Sequence, residues 1–206
     1  MKRIRIFLLA SGILFLLSGC GIFHLKGTVP DYEEETYTVS AKIENIVMQE
    51  EDVPVQICSS DHENLYLSYY SAEDGSEQYK ITEEKGTLTV VKESKKNYGI
   101  FVFGDRYASD SYKKVKLTLF IPSSYEGDLS VQTADGDIVI GEVSIGKLTI
   151  ETKDGDISFE DTAITQSLSC RTKDGNVKGK LAGKISEYNV TTKDGDIDLR
   201  FEEEGE

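Results

Sequence analysis

Thr152-Lys153-Asp154-Gly155-Asp156-Ile157 is the stretch on which the fold turns. Its pattern, T-x-D-G-[DN]-[IV], occurs at 133–138, 152–157, 172–177 and 192–197. The central aspartates are Asp135, Asp154, Asp174 and Asp194, spaced 19, 20 and 20 residues apart. Four matches at so steady a period indicate a repeat architecture. The flanks repeat as well. Leu129 and Val131, Leu148 and Ile150, Leu168 and Cys170, and Tyr188 and Val190 stand four and two positions before each threonine. Ile138 and Ile140, Ile157 and Phe159, Val177 and Gly179, and Ile197 and Leu199 follow the corners. Each unit is therefore two short strands about an Asp-Gly corner, each with one apolar face.

Two architectures use such a unit. Asp-Gly can close a hairpin in an antiparallel meander. It can also mark a corner that recurs once per coil of a β-solenoid. Residue parity does not separate them, because Thr152 and Ile157 face the same side in both. Repetition of the threonine, the aspartate and both strand faces favours like stacked on like. One unit cannot bury its own apolar face, so its neighbours must supply the core. The expected fold is all-β: a β-solenoid with rungs of about 20 residues, preceded by a strand-rich N-terminal portion.

That portion runs from about residue 36 to 125. Val53, Val55 and Ile57 alternate with other residues, as do Leu65, Leu67 and Tyr69, and Val115, Leu117, Leu119 and Ile121. This is the period of half-buried strands. Asp74-Gly75 reads as a hairpin turn, and Pro122 as a strand stop. Residues 94–112 read as a long loop carrying a short apolar strand.

The beginning of the chain has a different character. Lys2, Arg3 and Arg5 precede an apolar run, Ile6 to Leu17, closed by Leu17-Ser18-Gly19-Cys20. Charge, apolar core and small residues in that order make a secretory signal, 1–19. The run is shorter than the roughly 20 residues a spanning helix needs. Its last four residues resemble the lipobox of bacterial lipoprotein precursors. That resemblance implies cleavage before Cys20, lipid on its thiol, and localisation on the extracellular face of the cell membrane. Two acyl chains anchor a protein stably. Residues 20–35, with Glu33-Glu34-Glu35, read as a polar tether, 36–200 as the domain, and 201–206 as an acidic tail guarding an uncovered last rung.

The chain carries a net charge of -14, and loss of residues 1–19, which hold three positive charges and no negative ones, takes it to -17. Such a surface repels nucleic acid, whose binding depends on Lys and Arg. The expected partners are the membrane, through Cys20, and an unidentified envelope protein or glycan. The molecule is expected to be a monomer.

The lead-in strands, the LTLFIPSS segment at 117–124 and the TxDGDI rungs together resemble a family of bacterial putative adhesins of unknown function, over roughly 36–200. The resemblance implies an extracellular β-solenoid and brings no catalytic residues with it.

The repeated residues have a structural reading. Gly136, Gly155, Gly175 and Gly195 suit corners of positive φ, and the preceding aspartates can bond their own turn. A sharper alternative is a calcium ladder along Asp135, Asp154, Asp174 and Asp194, with Asp137, Asp156, Asn176 and Asp196 beside it. Lys153, Lys173 and Lys193 oppose it, since they can neutralise the column. Cys170 reads as core filler and Cys58 as unassigned; a bridge between them needs a proximity the sequence does not supply. Arg171 is the nearest candidate base for a polysaccharide-cleaving enzyme. Tyr66, Tyr69, Tyr70 and Tyr79 are candidates for a glycan surface. The reading adopted has no catalytic residue, no metal and no cofactor.

Overall fold

The structure, a computed structural model, describes residues 30–95 and 112–202. The signal, Cys20, residues 96–111 and the acidic positions 203–206 lie outside the described residues. Fourteen strands follow one another: β1 Tyr32–Thr38, β2 Asn45–Gln49, β3 Val55–Ser60, β4 Tyr66–Ala72, β5 Glu77–Glu84, β6 Thr87–Ser94, β7 Leu117–Pro122, β8 Asp128–Gln132, β9 Ile138–Ile140, β10 Ser144–Glu151, β11 Ile157–Arg171, β12 Val177–Ala182, β13 Glu187–Thr191 and β14 Ile197–Glu202. A short 3-10 turn, Tyr112–Lys114, precedes β7. The all-β class expected from alternation is what the chain adopts.

All the strands belong to one sheet that curls around a single main core. One wall runs β1-β4-β7-β3-β9-β11-β12-β14 and the other β5-β6-β2-β8-β10-β11-β13. The walls share β11. Its first half pairs with β9 and β12, and its second half with β10 and β13. Asp161 marks the bend: its φ is +55°, and the register with β12 shifts between Phe159 and Thr162.

Pairing among the repeats is parallel. Leu148 lies beside Leu129 and Leu168, and Ile150 beside Val131 and Cys170. Ile157 lies beside Ile138 and Val177, and Val177 beside Ile197. β8 and β9 flank the first Asp-Gly yet belong to opposite walls, so the corner is not a hairpin. The walls bury the two apolar faces against each other. Ile138, Ile140, Ile145, Ile157, Ile164 and Val177 are fully excluded from solvent.

Two boundaries move and one turn changes role. Glu33, Glu34 and Glu35, read as tether, lie in β1 and pair with β4. Their side chains reach solvent or hydroxyls: Ser68 donates to Glu34 at 2.6 Å and Tyr69 to Glu35 at 3.2 Å. Main-chain pairing recruits this polar segment, which no hydrophobic period announces. Phe201 and Glu202, read as tail, lie in β14. Asp74-Gly75 does form a turn, with Gly75 at φ +68°. It carries the chain from one wall to the other, however, because β4 pairs with β1 and β7 while β5 pairs with β6. The hairpin of this region is Lys85-Gly86, at φ +51° and +75° between β5 and β6, as a type I′ turn requires.

Candidate functional site

The repeated motif builds a column of corners. Thr133, Thr152 and Thr172 are buried. The hydroxyls of Thr152, Thr172 and Thr192 accept from the N–H of Gly155, Gly175 and Gly195 at 3.2, 3.1 and 3.1 Å. Thr172 and Thr192 also donate to the Gly155 and Gly175 carbonyls of the rung before, at 3.3 and 2.9 Å. The glycines serve another purpose than positive φ, which none of the four adopts. A Cβ on Gly155 would stand 2.2 Å from the Gly136 carbonyl oxygen, and one on Gly175 1.9 Å from that of Gly155. Glycine is required because one backbone stacks directly on the next.

The acidic columns are engaged too. Asp137 accepts from the Asp156 N–H at 2.8 Å, Asp156 from the Asn176 N–H at 2.7 Å, and Asn176 from the Asp196 N–H at 3.0 Å. The second acidic position thus links each rung to the next. Lys153, Lys173 and Lys193 pair with Asp154, Asp174 and Asp194 at 2.8, 2.6 and 3.0 Å. Partial burial, followed by the neighbouring Asp154, raises the Asp135 carboxyl above its ordinary value. The Lys173 ammonium holds Asp174 below its own. Among the described residues, no three His, Cys, Asp or Glu side chains gather as a ligand set.

Arg171 lies at the end of β11, on the outer side of its wall between Glu151 and Thr191. A shallow groove of about 800 Å³ runs there, lined by Lys153, Arg171, Lys173, Lys193, Ser169 and Asn189 among others. Ordered rows of outward side chains cross this wall: Ser130, Thr149, Ser169 and Asn189 in one, Gln132, Glu151, Arg171 and Thr191 in the next.

Cys170 is core, as expected, and burial pushes its thiol up to about 12. Cys58 lies on the other wall beside Phe120, and both thiols are free. The tyrosines do not form one surface. Tyr66 stacks on Phe120 at 4.2 Å, while Tyr69 meets Tyr79 edge-on at 5.3 Å inside the molecule.

Sequence reading missed a buried ionic cluster. Lys92 on β6 bonds Glu50 at 3.0 Å and Glu77 at 3.3 Å, with side chains 4%, 0% and 8% exposed. Tyr79 donates to Glu50. Burial works against the Lys92 charge, but Glu50 outweighs it and the ammonium stays above its ordinary value. Burial, then Glu50, drives the Tyr79 phenol upward. The available signal was positional: Glu50 and Lys92 continue the inward series Ile46, Met48 and Leu88, Val90. The cluster closes the core at the corner end, where the backbone N–H groups of Ala134 and Asp135 bond the Glu51 carbonyl.

A profile of one protein family matches residues 43–141 and again 127–206, together most of the chain. The chain belongs to the Toastrack DUF4097 family. No curated protein matches it. Among solved structures, a putative cell adhesion protein from Clostridium sporogenes superposes with a TM-score of 0.60 at 9% identity, covering 84% of this chain and 100% of that one. A putative adhesin from Bacteroides fragilis reaches a TM-score of 0.34 at 14% identity, over 82% of this chain and 97% of its own. A putative lipid binding protein from Parabacteroides distasonis reaches 0.30 at 14% identity, over 82% and 97%. The first likeness bears on the Toastrack fold; the other two are too distant to carry an argument.

Proposed function

We propose that this Toastrack protein is a non-catalytic binding protein of the cell surface, held to the membrane by lipid on Cys20 and acting in adhesion or in envelope-stress sensing. Residues 128–202 serve as the rungs of a short β-solenoid, a reading supported by the in-register parallel pairing of successive repeats. The observation that carries the function is the division of labour in each rung. The Thr, the Gly and the second Asp or Asn of the motif are consumed in holding backbone and the first Asp in pairing with lysine, while the outer wall displays Ser130, Thr149, Ser169 and Asn189 in a row at strand spacing. Such a rigid array suits an extended or repetitive partner such as an envelope glycan. The adhesion protein from Clostridium sporogenes shares the fold, and its name agrees with this reading.

The test joins binding to turnover. The purified protein should co-sediment with isolated envelopes and release no new reducing or unsaturated sugar ends. Turnover that disappears in Arg171→Ala would replace binding by catalysis. The intact mass of membrane-extracted protein should begin at Cys20 with added acyl mass. An unmodified start at another residue removes the anchor.

A further inference from the structure

The last rung has no neighbour among the described residues. Its inward side chains continue buried columns, yet Tyr188, Ile197 and Phe201 are 62%, 47% and 47% exposed, while their predecessors Leu168, Val177 and Leu181 are at most 2% exposed. The opposite ends of both walls are protected differently. β1 carries Glu33, Glu34 and Glu35, and β5 carries Lys80, Glu83 and Glu84. Charged edge strands resist pairing with other chains, whereas β13 and β14 present apolar side chains beside main-chain groups that no other described strand pairs.

We infer that this rung is the docking surface for a second copy of the same chain, joined end to end about a two-fold axis through Leu199. The sequence of β14 is self-complementary about that residue. Antiparallel pairing centred there places Ile197 against the partner's Phe201 and Asp198 against the partner's Arg200, each twice by symmetry. The main chain is aimed correctly. The Asp196 carbonyl accepts from Val177 on β12. Alternation therefore turns the N–H and C=O of Ile197, Leu199 and Phe201 away from β12, toward the partner.

The other strand of the rung obeys the same axis. Tyr188 packs against Phe201 with ring centroids 5.1 Å apart, which sets Val190 across from Leu199. Pairing of β13 about Val190 then brings Glu187 opposite the partner's Lys193. Stacking the bare rung on the far end of another copy is disfavoured by charge, since Asp198 and Glu202 would approach the three glutamates of β1. The inference replaces the monomer expected from the sequence, and it stands apart from the glycan-binding and lipid readings.

Sedimentation velocity on the purified protein over a range of concentrations tests it, with circular dichroism confirming that each variant is folded. The parent should show a reversible dimer. Asp198→Arg alone and Arg200→Asp alone should each weaken it about tenfold, because each turns two attractive pairs repulsive. The double exchange Asp198→Arg/Arg200→Asp should restore it, since the pairs re-form with signs reversed. Phe201→Lys should abolish it. A parent that stays monomeric at hundreds of micromolar, or a dimer indifferent to the single reversals, overturns the inference.

Discussion

At Gly155 and Gly175 the absence of a side chain decides whether two backbones can stack. A Cβ at Gly175 would sit 1.9 Å from the Gly155 carbonyl oxygen, a group that the rung fixes in place. Gly175→Ala should cost at least about 3 kcal/mol, among the larger effects of single substitutions. Chemical denaturation would read this directly. Gly75→Ala, at an open turn, should cost about 1 kcal/mol, from its positive φ alone. Lys92 makes a second residue-scale case. Lys92→Met would leave Glu50 buried without its cation, which should cost about 3–5 kcal/mol. Glu50→Gln in the same background should recover part of the loss. The alkaline limit has a definite sign. Tyr79 and Lys92 both titrate above their ordinary values of 10.0 and 10.5 in the folded chain. The stability they lend is complete below pH 10 and falls as pH rises beyond it. Melting temperatures should decline from about pH 10 upward, and less so in Tyr79→Phe.

The elements show which parts of the fold were legible. Alternating Val, Ile and Leu located β3, β7 and the repeat strands, because burying one face leaves a period of two. β1 was hidden: its polar side chains pack little, and it is held by the backbone of β4. β11 also escaped recognition as one strand of 15 residues, since Asp161 turns the chain at positive φ without a Gly or Pro to announce it. At the candidate site, the repeat marked the corners but misassigned the roles within them, because the period does not reveal which neighbour a side chain bonds. The link between rungs can be checked. Asp156→Ala should speed hydrogen exchange at the Asn176 amide and cost about 1 kcal/mol, the two exposed hydrogen bonds from the Asn176 backbone and side-chain amides having been lost. The β1–β2 connection offers a pH test. Partial burial would raise the Glu83 carboxyl, but donors from Ser40, Tyr37 and Ala41 outweigh it and hold it below the usual 4.5. A depressed carboxylate contributes above its unfolded value and loses its contribution as pH falls through the folded one. The amide resonances of Ser40 and Ala41 should therefore titrate with a midpoint under pH 4.5.

The described residues form one sheet around one main core, whose members run from Val39 to Leu181 and come from both walls. Such a body should unfold as a unit. The chain has 11 tyrosines and no tryptophan. Tyrosine fluorescence, weighted toward the lead-in strands, and far-ultraviolet dichroism, which reports every strand, should give coincident transitions in denaturant. Separate midpoints would mean that the repeats melt apart from the rest. The shared strand β11 also has a consequence for geometry. The wall that begins at β1 ends at β14, seven strand steps away. At one strand spacing per step, the bare rung stands roughly 35 Å from the strand where the chain enters. A molecule fastened by its first residues would hold that rung outward, like the open end of a post. Two posts rooted in the same bilayer could not meet tip to tip while upright, but posts on facing bilayers could. Joined that way, identical molecules would tie one cell to its neighbour across a gap set by the length of two stacks.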